Sequence, residues 1–329
     1  MRFIIYGAGG IGCVVGARLF QHGHEVVLVA RGAHLHAMRD HGLSFHSPSE
    51  STVLSIPCAG HPSEIAFGEG DVVFLTMKGQ DTRAALEDLR SAAGDGIPVV
   101  CCQNGVANER MALRRFSRVY AMLVKVPATF LVPGKVQTEA EDVTGILDAG
   151  CYPAGTDPCI EKVTRALSAS RFSARPDPRV MRLKYAKLLQ NLKNSLVALC
   201  GPVPDSEERT VLEMVRREAV ECFRAAGIEW ASRDEYDARS GDLVRIVPVD
   251  GRDRPGGSSW QSVARRTGNI ETDYLNGEIV LLGRLHGIAT TANLVLQRLA
   301  NRLIREGGEP GSWSVESIRS MIVQAGGRS

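Results

Sequence analysis

Gly7, Gly9 and Gly12 stand in the stretch IYGAGGIGCVVGARL with the spacing GxGxxG, and each glycine in such a turn has a mechanical task. The first makes a tight turn, the second lets backbone approach a pyrophosphate, and the third lets a helix pack closely on a strand. Gly10 and Ile11 complete the turn, and the N–H groups and dipole at the start of the following helix face the phosphates. About 20 residues further on, where an acid would hold the ribose hydroxyls of NAD, the run LVAR supplies Arg31 instead. A guanidinium pairs with a 2′-phosphate through two hydrogen bonds, which selects NADP over NAD. Glu25 precedes the strand and is badly placed to serve as that acid. Lys78 in TMKGQDT and Asn104 in CCQNGV close two more strands, at the sheet edge where α/β proteins bind ligands. Each has a plainer alternative: a glycine turn with no ligand, a solvated arginine, a helix cap, a closed turn.

A second set lies in KYAKLLQNLKNSLVAL (184–199). On a helix Lys187, Asn191 and Ser195 share one face, while Leu188, Leu189, Leu192, Leu196 and Leu199 occupy the other. An amphipathic helix with a solvated polar stripe would explain this. Asparagine is disfavoured in exposed helix interiors, however, and two of them, Asn191 and Asn194, give the stripe a polar purpose. Reducing a ketone by hydride leaves an alkoxide that needs a proton and a nearby positive charge, and a lysine supplies both. Glu271 opens the helix beginning at NIETDY, where an acid suits the helix dipole and Asn269 suits the N-cap.

The elements that must position these residues fall into two kinds. Up to about residue 170, buried apolar runs (2–7, 25–31, 71–78, 98–105) alternate with helical stretches (11–22, 32–41, 80–93), the rhythm of βαβ units. Further strands are expected at 118–124, 127–139 and 145–150, with a helix at 157–169. After FSARPDPR (172–179) helical periodicity takes over, with helices expected at 179–200, 206–226, 259–266, 271–287, 291–306 and 314–324. The expected fold is therefore α/β: an N-terminal Rossmann-type parallel-sheet domain (1–174) followed by an all-α domain (175–329), divided at the proline pair beside Arg175. The polar, glycine-rich stretch 246–258 suits a lid and equally a connector.

Composition narrows the rest. Apolar residues make up 44% and charged residues 23%, with a net charge of +2. Basic and acidic residues are interleaved, which gives no support to nucleic acid or an anionic membrane as a partner. The eight cysteines form no CxxC pair, so a reduced, metal-free protein is expected. The apolar run in MRFIIY is too short for a secretory segment, and nothing approaches the roughly 18 apolar residues of a membrane span. A cytoplasmic location is expected.

GAGGIG, TMKGQDT, QNG, KYAKLLQNLKNSLVAL and SSWQSVARRTGNIETDYLNGEIVLLGRLHGI (258–288), in order along nearly the whole chain, resemble the ketopantoate reductase (2-dehydropantoate 2-reductase) family. The resemblance implies a Rossmann domain and a helical domain with the active site in the cleft between them. It implies NADPH-dependent reduction of a 2-oxo acid to a 2-hydroxy acid, as from 2-dehydropantoate to pantoate in pantothenate and coenzyme A biosynthesis. By the same resemblance Lys187 is the general acid; Lys184, three residues earlier on an adjacent part of the helix face, is the alternative. Asn191 is a substrate amide, Glu271 a substrate-contacting glutamate near the lysine, Ser259 the hydroxyl for the substrate carboxylate, and Asn104 a contact to substrate and cofactor. Two departures stand out. The asparagine expected eight residues after the lysine is Ser195, and the aspartate expected four after the serine is Val263. They bear on which 2-oxo acid is the substrate and leave two rivals: a reductase of another branched or larger 2-oxo acid, and a non-catalytic NADP(H) sensor. The latter gives Lys187, Asn191 and Glu271 no task. The expected partner is a small molecule, and the helical half leaves room for a homodimer surface.

Overall fold

The computed structural model describes residues 1–202, 205–254, 256–266 and 268–327. Short runs rich in Val, Ile and Phe form strands: β1 (Arg2–Tyr6), β2 (Glu25–Val29), β3 (Leu43–Ser47), β4 (Glu50–Leu54), β5 (Cys58–Ala59), β6 (Asp71–Leu75), β7 (Val99–Cys101), β8 (Val119–Met122), β9 (Lys135–Gln137), β10 (Gly145–Ile146), β11 (Ala149–Cys151) and β12 (Phe172–Ser173). The helices are α1 (Gly10–Gln21), α2 (Gly32–His41), α3 (Gly79–Ala93), α4 (Asn108–Leu113), α5 (Pro158–Ala169), α6 (Val180–Asn191), α7 (Lys193–Cys200), α8 (Asp205–Ala225), α9 (Arg233–Ser240), α10 (Ser258–Ala264), α11 (Asn276–His286), α12 (Thr291–Arg305) and α13 (Val315–Gly326).

Seven strands form one sheet in the order β11-β8-β7-β6-β1-β2-β5. All its pairings are parallel except that of β11 with β8. A parallel sheet needs cover on both faces, and alternate residues of β1 supply it. Phe3 and Ile5 pack in a core with Val14 and Val15 of α1 and with Ile160, Val163 and Leu167 of α5. Ile4 packs on the opposite face with Leu86 and Leu89 of α3. β1 has β2 on one side and β6 on the other, with Arg2 in register with both Glu25 and Asp71. Strand order reverses there, and the crevice beyond the carboxyl ends of such strands is where open α/β sheets bind ligands.

Residue contacts divide the chain into two compact units, Met1–Lys184 with Ala231–Arg254, and residues 185–230 with 255–329. A single division at 174/175 does not describe this arrangement, because the stretch 231–254 returns to the first unit. Its helix α9, absent from the sequence-based expectation, is held by Arg239, which donates to both oxygens of Asp148 at 2.5 and 2.6 Å and to the Ser173 hydroxyl at 3.0 Å. The start of the 246–258 stretch is paired backbone to backbone: Ile246 bridges Ala140, and the Val247 N–H donates to the Glu139 carbonyl at 2.9 Å. Residue 255 of that stretch lies outside the described residues. The first unit also carries a small sheet of order β4-β3-β9.

In the second unit α7 packs on α10 and α12, and α11 on α8 and α12. Leu188, Leu192, Leu196, Val215, Phe223, Leu296 and Ile318 are buried. Among the described residues no helix is long and apolar enough to cross a membrane.

Candidate active site

The glycine turn joins β1 to α1, and its three glycines exist for different reasons. Gly7 has φ +98°, and a Cβ there would lie 2.5 Å from the Met77 nitrogen. A Cβ on Gly12 would lie 2.5 Å from the Thr76 hydroxyl, which itself donates toward the carbonyls of Tyr6 and Gly7 at 3.1 and 3.0 Å. Packing alone therefore requires both. Gly9 is different, since a Cβ there would meet only the Gly7 carbonyl, at 3.8 Å. Beside it α1 begins with no side-chain cap and no acid in its first turn. An uncapped helix start with open room over a glycine suits an anion, so this turn fits a dinucleotide diphosphate. A Cβ on Gly10 would meet those of Ala128 and Phe130 at 3.5 Å, an ordinary contact, and Ile11 packs on the sheet core.

Arg31 follows β2 and precedes α2. Its side chain is 82% exposed and meets Asp81 at 3.4 Å, a surface pair of little energetic weight that a phosphate can displace. Lys78 stands just before α3, and Asn104 lies in the turn after β7. A buried polar chain that sequence reasoning missed locks these two turns together. The Gln103 amide donates to the Met77 carbonyl and to the Thr82 hydroxyl, both at 2.8 Å. Thr82 donates to Asn108 at 2.9 Å, and Asn108 donates to the Asn104 carbonyl at 3.1 Å. The signal available was Gln103 itself, a polar residue directly after the buried run VVCC.

Lys184, the alternative acid, is corrected to a structural role. It is 3% exposed, donates to the carbonyls of Gln103 and Met122 at 2.8 and 3.0 Å, and pairs at 2.8 Å with Glu109, which is fully buried. Its three donors are spent inside the first unit.

In the second unit the expected helix 179–200 breaks at Leu192, between α6 and α7. Leu192 keeps helical dihedrals and its N–H donates to the Leu188 carbonyl at 3.1 Å, while the Asn276 amide donates to the Leu192 carbonyl at 3.2 Å. Lys187 is partly buried on α6. Asn191 and Ser195 are 6% and 1% exposed, so these two members of the polar stripe expected to face outward are buried. The Asn191 side-chain nitrogen is buried with no hydrogen-bond partner. Such a donor costs about 1–3 kcal/mol, and a ligand oxygen would satisfy it.

Glu271 does not open a long helix. It begins a four-residue 3₁₀ turn (Glu271–Tyr274) capped by Ile270 with no side-chain hydrogen bond, so the Asn269 cap is withdrawn and with it much of the helix-dipole account of the acid. Glu271 is nonetheless buried, 5% exposed. The structure ties this turn to α7, because Ser195 is hydrogen-bonded to Thr272 at 2.8 Å. Ser259 and Val263, 4% and 3% exposed, lie on α10, which packs on α7. The first unit thus gathers the glycine turn, Arg31, Lys78 and Asn104 near the carboxyl ends of its strands. The second places Ser195, Glu271 and Ser259 on neighbouring elements, with Asn191 beside the helix break. Among the described residues no group of three or more His, Cys, Asp or Glu could hold a metal ion.

Comparison with known proteins adds to this geometry. The family model described as ketopantoate reductase PanE/ApbA matches residues 3–151, and its C-terminal counterpart matches residues 179–303. A 2-dehydropantoate 2-reductase of Pyrococcus horikoshii is 23% identical over 310 residues, covering 94% of this chain and 99% of the relative. The crystal structure of a PanE/ApbA family ketopantoate reductase from Ralstonia eutropha superposes with a TM-score of 0.76 at 26% identity, over 93% of this chain and 99% of the other. The ternary structure of D-mandelate dehydrogenase with NADH and anilino(oxo)acetate gives a TM-score of 0.78 at 21% identity over the same shares, a likeness of fold.

Proposed function

The chain belongs to the ketopantoate reductase family and is an oxidoreductase, and from that premise we propose that it reduces a 2-oxo acid to the 2-hydroxy acid with NADPH, 2-dehydropantoate being the first substrate to test. The observation that carries the proposal is the room over Gly9 at the uncapped start of α1, which packing does not require and a diphosphate would fill. The Gly7–Gly12 turn would hold that diphosphate, Arg31 the 2′-phosphate, and Lys78 and Asn104 the part of the cofactor at the strand ends. When bound, NADPH supplies the hydride.

This chain's residues must then manage the charge that develops on the keto oxygen. Lys187 gives its proton to that oxygen, and its positive charge favours the alkoxide before the proton moves. The unpartnered Asn191 nitrogen donates a hydrogen bond to the substrate. The Ser259 hydroxyl donates to the substrate carboxylate. Glu271, as a carboxylate, accepts from the substrate hydroxyl.

A second reading keeps the reaction and changes the acid. The Ser195 hydroxyl is engaged within the protein and Val263 offers no polar atom, which favours a substrate with fewer polar groups. The deciding experiment follows NADPH oxidation by purified protein with 2-dehydropantoate and with a panel of branched and aromatic 2-oxo acids. Turnover fastest with 2-dehydropantoate supports the first reading, and turnover fastest with another acid supports the second. NADPH binding with no turnover of any acid would overturn both and leave a sensor.

A further inference from the structure

Ser195, Thr272, Asn276, Asn293 and Glu218 form one buried polar chain in the second unit. The Ser195 hydroxyl donates to the Asn276 side-chain oxygen at 2.7 Å. Since its single hydrogen is spent there, the 2.8 Å contact with Thr272 must have Thr272 as donor. The Asn276 amide donates to the Asn293 oxygen at 3.1 Å and to the Leu192 carbonyl at 3.2 Å. The Asn293 amide donates to Glu218 at 2.8 Å, and that carboxylate also accepts the Ala292 and Asn293 backbone N–H groups at 2.7 and 3.0 Å. Ser195, Thr272, Asn276 and Asn293 are each at most 1% exposed. The hydrogen bonds all run one way, from Thr272 to the carboxylate, so each polarises the next.

This chain grips the two places where backbone regularity fails. One is the break at Leu192, immediately after Asn191. The other is the 3₁₀ turn, in which Thr272 directly follows Glu271. Beyond Asn191 the α-helical ladder is interrupted at Leu192, and around Glu271 only a 3₁₀ turn forms. We propose that Ser195 is a positioning residue: it joins the turn carrying Glu271 to the helix pair carrying Lys187 and Asn191, and so sets where the Glu271 carboxyl stands. The proposal rests on the reading of Glu271 given above. It also explains why a serine at this position is functional without touching substrate, since its hydroxyl has no donor to spare.

The test uses the full chain and compares Ser195→Ala, Glu271→Gln and the double variant, measuring kcat and KM for the best 2-oxo acid, NADPH affinity by fluorescence, and thermal melting. A misplacement of about 1 Å at a reacting group costs on the order of 100-fold, so Ser195→Ala is expected to lower kcat/KM at least about tenfold, mostly in kcat, with NADPH affinity within about twofold. In the Glu271→Gln background the same change is expected to cost less than about threefold, because the group being positioned is already gone. Thr272→Val, which cuts the link from the other side, is expected to reproduce Ser195→Ala and serves if the latter does not fold. Normal turnover of Ser195→Ala beside an impaired Glu271→Gln would overturn the positioning role alone, as would an equal loss in both backgrounds. Full activity of Glu271→Gln would instead overturn the reading of Glu271, and the task given to Ser195 with it.

Discussion

The glycine turn of the first unit and the broken helix of the second show two ways of building a binding site. In the turn, geometry is local. Gly7 is forced by its own φ and by Met77, Gly12 by Thr76, and the helix start offers its N–H groups because of where the helix begins. In the second unit the regular α-helix is interrupted at Leu192 and only a 3₁₀ turn forms at Glu271, and both irregularities are held by side chains from 70 or more residues away in sequence. A site made from backbone tolerates few residue types and leaves a spacing to recognise. A site made from side-chain contacts leaves only scattered polar residues.

Two lysines three residues apart give the sharpest way to test the contrast. Lys187→Ala is expected to lower turnover with the preferred 2-oxo acid by about 10²- to 10⁴-fold, the usual weight of a general acid, while NADPH affinity and melting temperature stay close to those of the parent. Lys184→Met is expected to act on stability, lowering it by about 3–5 kcal/mol in denaturant titration, because Glu109 is left buried without its partner. If the two phenotypes were exchanged, the roles assigned to the lysines would be exchanged with them.

The glycines divide in the same manner. Gly7→Ala places a side chain against backbone at positive φ and is expected to destabilise the fold by about 1–3 kcal/mol in the same titration. Gly9→Ala meets only the Gly7 carbonyl, at the ordinary contact distance of 3.8 Å, so it is expected to melt normally and to bind NADPH at least about tenfold more weakly. A Gly9→Ala variant with unchanged NADPH affinity would remove the diphosphate from that turn. Arg31→Ala is expected to shrink the preference for NADPH over NADH by about 10-fold or more, the worth of a charge-assisted hydrogen bond of roughly 1.5–3 kcal/mol. An unchanged ratio in paired NADPH and NADH kinetics would return Arg31 to the solvated surface.

The smallest effect concerns Glu218. Burial pushes its carboxyl above the ordinary range, against the pull of the Ala292 and Asn293 N–H groups and the Asn293 amide toward the charged form. A carboxyl whose pKa is higher folded than unfolded binds more protons in the folded state. Its contribution to stability is therefore fully present below the unfolded pKa and is lost as pH rises through the folded one. Glu218→Gln should flatten that part of the stability curve from the ordinary carboxylate range upward, measured by denaturant titration at several pH values. An unchanged slope would mean the group titrates alike in both states.

Particular residues show where the sequence could be read and where it could not. β1, β2, β6 and β7 were legible because parallel strands buried on both faces read as unbroken apolar runs. The hairpin of β3 and β4 was missed. Its alternation in LSFHS and ESTVL is partly polar, and β3 also pairs with β9 about 90 residues later, which no local pattern records. Helix α9 was missed because RDEYDARS has almost no apolar face, with only Tyr236 and Ser240 buried. What holds it is Arg239 on Asp148, an ion pair between distant positions.

The amino-acid sequence by itself determined the glycine turn, the strand ends that carry Arg31, Lys78 and Asn104, and the residue types from which a carbonyl could be protonated. These depend on backbone dihedrals and side-chain periodicity, which are properties of neighbours in the chain. Only the tertiary structure decided that Lys184 is a buried tie and not an acid, that 231–254 returns to the first unit, that the stripe of Asn191 and Ser195 is enclosed, and that Glu271 sits on a short turn bound to Ser195. Each of these turns on where a buried polar group finds its hydrogen-bond partner, and in this chain the partner lies tens of residues away, where no local pattern records it.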